Sequence, residues 1–93
     1  MKLEKLLERI DYKVLAGSTD IEISTLVYDS RKVEKASVFV CISGAVSDAH
    51  AFIPDVVKKG AAAVVVEKDV TPIDGVTYIK VDDTRLALAC MSA

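Results

Sequence analysis

At 93 residues the chain is one domain with a single core, of a size that leaves a modest stability margin. Hydrophobic residues make up 52% of it and mean hydropathy is +0.35, which excludes disorder as a description of the whole. A net charge of -2 with scattered Lys and Arg excludes a nucleic-acid footprint, and no apolar run approaches the ~18–20 residues of a membrane span.

The amino terminus places Leu3, Leu6, Leu7 and Ile10 at helical spacing among Lys2, Glu4, Lys5, Glu8 and Arg9, which predicts a short amphipathic helix. This mixture of charge and leucine is not a signal peptide's apolar core, so the chain reads as cytoplasmic. Gly17-Ser18-Thr19-Asp20 predicts a turn. Ile21 and Ile23 then alternate with Glu22 and Ser24, and Leu26-Val27-Tyr28 follow, which predicts one strand or two short ones. Val38 to Ile42 is apolar enough for a strand buried on both faces, and Ser43 to His50 is a loop with one glycine.

Ala51 to Lys59 reads as a helix, with Phe52 and Val56, and Ile53 and Val57, spaced i, i+4. Pro54 falls in its first turn and Gly60 just past its end. Ala61 to Glu67 predicts a buried strand, completing a βαβ unit. Lys68 to Val76, with Pro72 and Gly75, turns the chain into a further strand at Thr77 to Val81. Asp82 or Asp83 is placed to cap a helix from Thr84 through Met91. That helix is still apolar at Ala93 without a stop signal, so the natural chain is expected to continue. Aromatics are only 5% while Val, Ile, Leu and Ala dominate. The fold class expected is α/β, a small open mixed or mostly parallel sheet with helices on its faces.

Chemistry is most legible in Tyr28-Asp29-Ser30-Arg31, in the strand Val38 to Ile42 and in the loop from Ser43 to His50. Polar side chains of short reach precede a buried strand, and a glycine-containing loop follows it, where open α/β sheets place ligands. The pattern reads as a pocket for a nucleotide sugar. Ser30 is also a natural turn residue, Asp29 reads first as a brace for its own turn, and Arg31 as a solvated or paired surface group. Cys41 and Cys90 lack metal or redox spacing and read as small buried hydrophobes. One histidine and two isolated cysteines assemble no nucleophile and base pair. Gly17, Gly44, Gly60 and Gly75 form no Gly-x-x-x-x-Gly-Lys-Ser/Thr loop, so the segment itself is not expected to hydrolyse ATP.

Four pieces in order carry a family resemblance: Tyr28-Asp29-Ser30-Arg31-Lys32-Val33, Val38-Phe39-Val40-Cys41-Ile42-Ser43-Gly44-Ala45, Asp48-Ala49-His50-Ala51-Phe52-Ile53, and Lys59-Gly60-Ala61-Ala62-Ala63-Val64-Val65-Val66-Glu67. Together they resemble the amino-terminal domain of the Mur ligases, ATP-dependent enzymes that add amino acids to UDP-N-acetylmuramic acid in peptidoglycan synthesis. Asp83-Thr84-Arg85-Leu86-Ala87-Leu88-Ala89 resembles the start of the family's helix leading to its ATP-binding domain. Within the family the runs look most like the branch that extends UDP-N-acetylmuramoyl-L-alanyl-D-glutamate by the third residue of the stem peptide, a diamino acid such as meso-diaminopimelate or lysine. The branch adding D-alanyl-D-alanine shares much of the pattern.

The resemblance implies that residues 1–82 bind the UDP end of the substrate and 83–93 begin the helix toward the ATP-binding domain. ATP and Mg2+ would be held by that downstream domain, and a third, carboxyl-terminal domain would help bind the incoming amino acid. Ser30 would place its hydroxyl on the nucleotide, with Asp29 beside it, and Tyr28 would offer its backbone or ring to the uracil edge. Gly44, Ala45, Val46 and Ser47 match the loop that closes on the uridine, where backbone amides meet carbonyl or phosphate oxygens. His50 would shape that loop. Ala36 stands where a turn glycine is usual, and Ala49 where the Asp-Gly-His run has its glycine, restricting the backbone angles at both. The competing reading is a stand-alone α/β interaction module without ligand, which would lack a downstream P-loop.

Overall fold

The computed structural model describes residues 2–42 and 49–92. In chain order it contains α1 (Leu3–Leu7), β1 (Lys13–Ala16), β2 (Leu26–Val27), a 3-10 turn (Ser30–Lys32), β3 (Val38–Val40), a second 3-10 turn (Ala49–Phe52), α2 (Ile53–Lys58), β4 (Ala63–Val66), β5 (Thr77–Lys80) and α3 (Thr84–Ser92). The strands form one sheet in the order β1-β5-β4-β3-β2. β2, β3, β4 and β5 run parallel, with Val27 opposite Phe39, Phe39 opposite Val64 and Val64 opposite Tyr78. β1 closes one edge antiparallel to β5, so the sheet is mixed, as expected.

Successive residues of β3, β4 and β5 point to opposite faces, and both faces are covered, which is why all four residues of β4 are buried. One face joins Val38, Val40, Ala63, Val65 and Ile79 to Leu3 and Leu7 of α1 and to Ala87 and Met91 of α3. The other joins Phe39, Val64, Val66 and Tyr78 to Ile53 and Val56 of α2. The amino-terminal leucine stripe therefore packs in the core, and so does Cys41; Cys90 is half-buried. Pro54 does occupy the first turn of α2, and Asp83 rather than Asp82 caps α3, its Oδ1 accepting from the amides of Arg85 and Leu86 at 3.0 and 3.2 Å.

Two expectations change. The alternation Ile21-x-Ile23 predicts a strand, yet around it the structure has only the isolated bridge between Lys2 and Glu22. Ile23 is buried and Ile21 half-buried, so the alternation reports which side chains of an extended segment face the core, not a strand ladder. Its carbonyls do other work: the amides of Leu3 and Glu4 donate to the Ile21 and Thr19 carbonyls at 2.9 and 3.0 Å, satisfying the start of α1, which has no side-chain cap. The strand that sequence reasoning missed is β1. Its run Lys13-Val14-Leu15-Ala16 has no period of two, and Val14 at this open edge stays 41% exposed.

Gly17 ends β1 with φ +79. A Cβ there would lie 2.5 Å from Thr77 Oγ1 and 2.7 Å from Thr77 Cα, so the close approach of two backbones requires glycine. Thr77 Oγ1 completes the junction by accepting from the Ser18 amide at 3.2 Å and donating to the Ser18 carbonyl at 2.8 Å.

Candidate functional site

Because β2 and β3 are parallel neighbours, the chain leaves both at the same edge of the sheet. β2 delivers Tyr28-Asp29-Ser30-Arg31, and β3 delivers Cys41 and Ile42, whose continuation returns through the 3-10 turn Ala49–Phe52 into α2. The site expected from sequence thus falls at the carboxyl ends of two adjacent strands, where ligands of open α/β sheets bind. A pocket of about 260 Å³ lies on the β2 side of this edge, lined by Leu26, Val27, Tyr28, Asp29 and Lys32. That volume is below the roughly 300–1,000 Å³ typical of a complete small-molecule site.

The turn is built around Asp29. Its Oδ1 accepts from the Arg31 amide at 2.9 Å, and the Lys32 amide donates to its carbonyl at the same distance. The Arg31 guanidinium closes a fork on the carboxylate, Nε to Oδ1 at 3.2 Å and Nη2 to Oδ2 at 3.1 Å. These bonds, led by the side-chain bonds from Arg31, lower the Asp29 carboxyl to about 2. Asp29 therefore acts as the brace of its turn, holding the 3-10 helix of which Ser30 is the first residue. Arg31 is a paired surface group.

Tyr28 projects from the turn with 64% of its surface exposed. Lys32, which sequence reasoning left without a role, lines the pocket; the signal available was only its place one residue after Arg31. Phe52, at the far end of the second 3-10 turn, is also exposed. Gly44, Ala45, Val46 and Ser47 lie outside the described residues. The backbone of His50 lies in the second 3-10 turn.

Ala36 anchors the opposite, amino-terminal end of β3. It has φ +65, its amide donates to the Gly60 carbonyl at 2.8 Å, and its carbonyl accepts from the Ser24 amide at 2.8 Å. The departure from glycine noted in the sequence is thus a true left-handed position, occupied by alanine. Gly60 itself has φ +107 and packs against Lys35, whose Cα would lie 3.0 Å from an added Cβ.

At the carboxyl end of β4 stands Glu67, a residue given no role by sequence. Its Oε1 accepts from the Thr84 amide at 2.8 Å and from Thr84 Oγ1 at 2.7 Å, and Thr84 is fully buried. No group of three His, Cys, Asp or Glu placed to hold a metal occurs among the described residues, and none of their helices is long and apolar enough to cross a membrane.

Residues 22–93 match the family model described as "Mur ligase family, catalytic domain". The chain belongs to the Mur ligase family. Among Mur ligases it is 44% identical over 93 residues to the UDP-N-acetylmuramoyl-L-alanyl-D-glutamate--2,6-diaminopimelate ligase of Clostridium perfringens, covering 100% of this chain and 19% of that protein. The ligase of the same name from Alkaliphilus metalliredigens is 49% identical over 89 residues, covering 96% of this chain and 18% of that protein. Among solved structures, MurF from Acinetobacter baumannii superposes with a TM-score of 0.79 at 30% identity, over 97% of this chain and 20% of that one. The MurF ligase of Thermotoga maritima in complex with ADP gives 0.63 at 28% identity over 73% of this chain and 16% of that one. The chain thus spans about a fifth of the length of the Mur ligases it matches. Both the family expected from the four sequence pieces and the α/β fold hold.

Proposed function

We propose that this chain is the UDP-binding amino-terminal domain of an ATP-dependent ligase that adds a diamino acid to UDP-N-acetylmuramoyl-L-alanyl-D-glutamate in peptidoglycan synthesis. The observation that carries the binding role is the pocket at the carboxyl end of β2, lined by Tyr28, Asp29 and Lys32 of the turn that follows it. The exposed Tyr28 ring offers a face on which a pyrimidine stacks, over an apolar floor from Leu26 and Val27. Ser30 places its hydroxyl on the nucleotide, and Asp29 serves by locking the turn that presents it. Lys32 supplies positive charge at the rim for the diphosphate. Gly44, Ala45, Val46 and Ser47 close over the uridine with backbone amides. Residues 1–82 form the binding unit, and 83–93 begin the helix toward the ATP-binding domain.

ATP and Mg2+ belong to the whole enzyme. The residues present here do not fit them: the four glycines are isolated, and the described residues hold no metal-ligand group. No step of amide-bond formation is therefore assigned to this chain, whose part is to bind and orient the substrate's UDP end in the cytoplasm. Identity of 44–49% to the diaminopimelate-adding ligases, against 30% to MurF, favours meso-diaminopimelate as the added residue over D-alanyl-D-alanine.

Titrating the isotope-labelled domain with UDP-N-acetylmuramoyl-L-alanyl-D-glutamate, UMP and AMP tests the binding role. Saturable amide shifts at Ser30 and at Ala45 to Ser47 are expected with the two uridine compounds and not with AMP. Silence at millimolar uridine ligand would favour the interaction module, or a site completed only by the ligase's other domains, and the same titration of the full-length enzyme separates the two. Assaying the full-length enzyme for incorporation of meso-diaminopimelate, lysine and D-alanyl-D-alanine identifies the added group.

A further inference from the structure

We propose that Glu67 is a positioning residue: its carboxylate fixes the direction of α3 against the edge of the sheet that carries the ligand turn, and so sets the geometry between this domain and the chain that follows. The inference rests on the ligase reading above for its effect on turnover, but its structural half stands on local geometry.

Glu67 follows β4, the neighbour of β3, and therefore lies at the same carboxyl edge as the chain leaving β2 and β3. One oxygen of this carboxylate takes both the amide and the hydroxyl of Thr84, the first residue of α3. Thr84 is fully buried, so its amide and hydroxyl take their partner from the sheet side in Glu67. The helix does not need Glu67 to start. Asp83 already caps it through the amides of Arg85 and Leu86. What Glu67 adds is a tether from the sheet to the helix start, a charge-assisted pair of bonds with defined direction. The rest of α3 packs through Ala87, Leu88 and Met91, apolar contacts that carry no hydrogen-bond direction.

An angular error at the helix start grows along its length. Catalysis in an enzyme whose substrate end is held by one domain and whose reacting end lies in another depends on that angle, and a displacement of about 1 Å at reacting groups costs up to roughly 100-fold in rate. Binding of the uridine end uses the β2 and β3 loops and does not pass through Glu67.

The experiment uses the full-length enzyme with Glu67→Ala, Thr84→Val and the conservative Thr84→Ser. Spin labels carried by unnatural amino acids at the exposed Lys58 and Ala89 report the distance between α2 and the body of α3. The expected result has three parts. Glu67→Ala and Thr84→Val broaden the distance distribution; they lower kcat about 10- to 100-fold while the Kd for UDP stays within about twofold; and Thr84→Ser restores both distribution and kcat. An unchanged distance distribution in folded variants would overturn the proposal. So would a broadened one with wild-type kcat, or a Kd that weakens in step with kcat, since the latter is the signature of a general structural role. Should the wild-type enzyme show no ligase turnover, the functional reading fails by itself, and the distance distribution alone then decides whether Glu67 sets the helix direction.

Discussion

Replacing Ala36 with glycine should stabilise this domain, although it deletes a methyl group and loosens the unfolded chain. Ala36 sits at φ +65, where an L side chain crowds its own carbonyl at a cost of roughly 1–2 kcal/mol. It cannot relax away, because the Gly60 carbonyl and the Ser24 amide hold it on both sides at 2.8 Å. Glycine removes the crowding but adds about 0.4–1 kcal/mol of unfolded-state freedom to be lost on folding. The half-buried methyl contributes little packing. The net expectation is a gain of about 0.5–1 kcal/mol, which raises the urea midpoint by roughly 0.5 M at constant m. In a domain of this size it raises Tm by about 2–8 °C. Ala89→Gly, in the exposed face of α3, is the control and should lose about 1 kcal/mol. If both substitutions lowered the midpoint alike, the strain at Ala36 would be absent and the reasoning refuted.

Gly17→Ala should destabilise by about 3 kcal/mol, because the added Cβ meets Thr77 backbone and hydroxyl while also bearing a positive φ; urea unfolding reads this, and a loss under 1 kcal/mol would contradict the close approach. Ser37 is fully buried with a hydroxyl that has no hydrogen-bond partner among the described residues, so Ser37→Ala should raise stability by about 1 kcal/mol, whereas a loss of that size would reveal a further partner. The Asp29 carboxyl is lowered in the fold to about 2, against about 3.9 unfolded, so its contribution is full above the unfolded value and is lost as pH falls through the folded one. Carbon-13 titration of Asp29 should show a midpoint near 2, and Asp29→Asn should flatten the stability profile between about pH 4 and 2; a normal midpoint would mean that the Arg31 fork does not persist in solution.

Much of the layout is legible in the sequence. Val38–Val40 and Ala63–Val66 are strands because runs of β-branched residues suit a sheet buried on both faces, and Pro54 and Gly60 bracket α2 by their backbone chemistry alone. Tyr28, Asp29 and Ser30 fell at the predicted edge, since a polar run between two short apolar ones has little choice but to leave the sheet there. β1 was not legible: its pairing partner is 60-odd residues away in β5, and no local periodicity encodes an edge strand exposed at Val14. Nor was the false strand at Ile21 and Ile23, where alternation recorded which side chains face the core without saying whether the backbone has a neighbour.

By itself the sequence determined the family, the α/β class, most of the secondary structure and the turn that carries the candidate site, because each rests on local backbone preference or on the pattern of apolar residues. The tertiary structure alone decided that Asp29 spends both carboxylate oxygens on Arg31, that Ala36 occupies a left-handed position pinned by Gly60, and that Glu67 reaches Thr84 across the sheet edge. Those are choices among partners. A carboxylate's residue type states that it needs a donor, but only the three-dimensional arrangement of the chain states which donor comes within 3 Å.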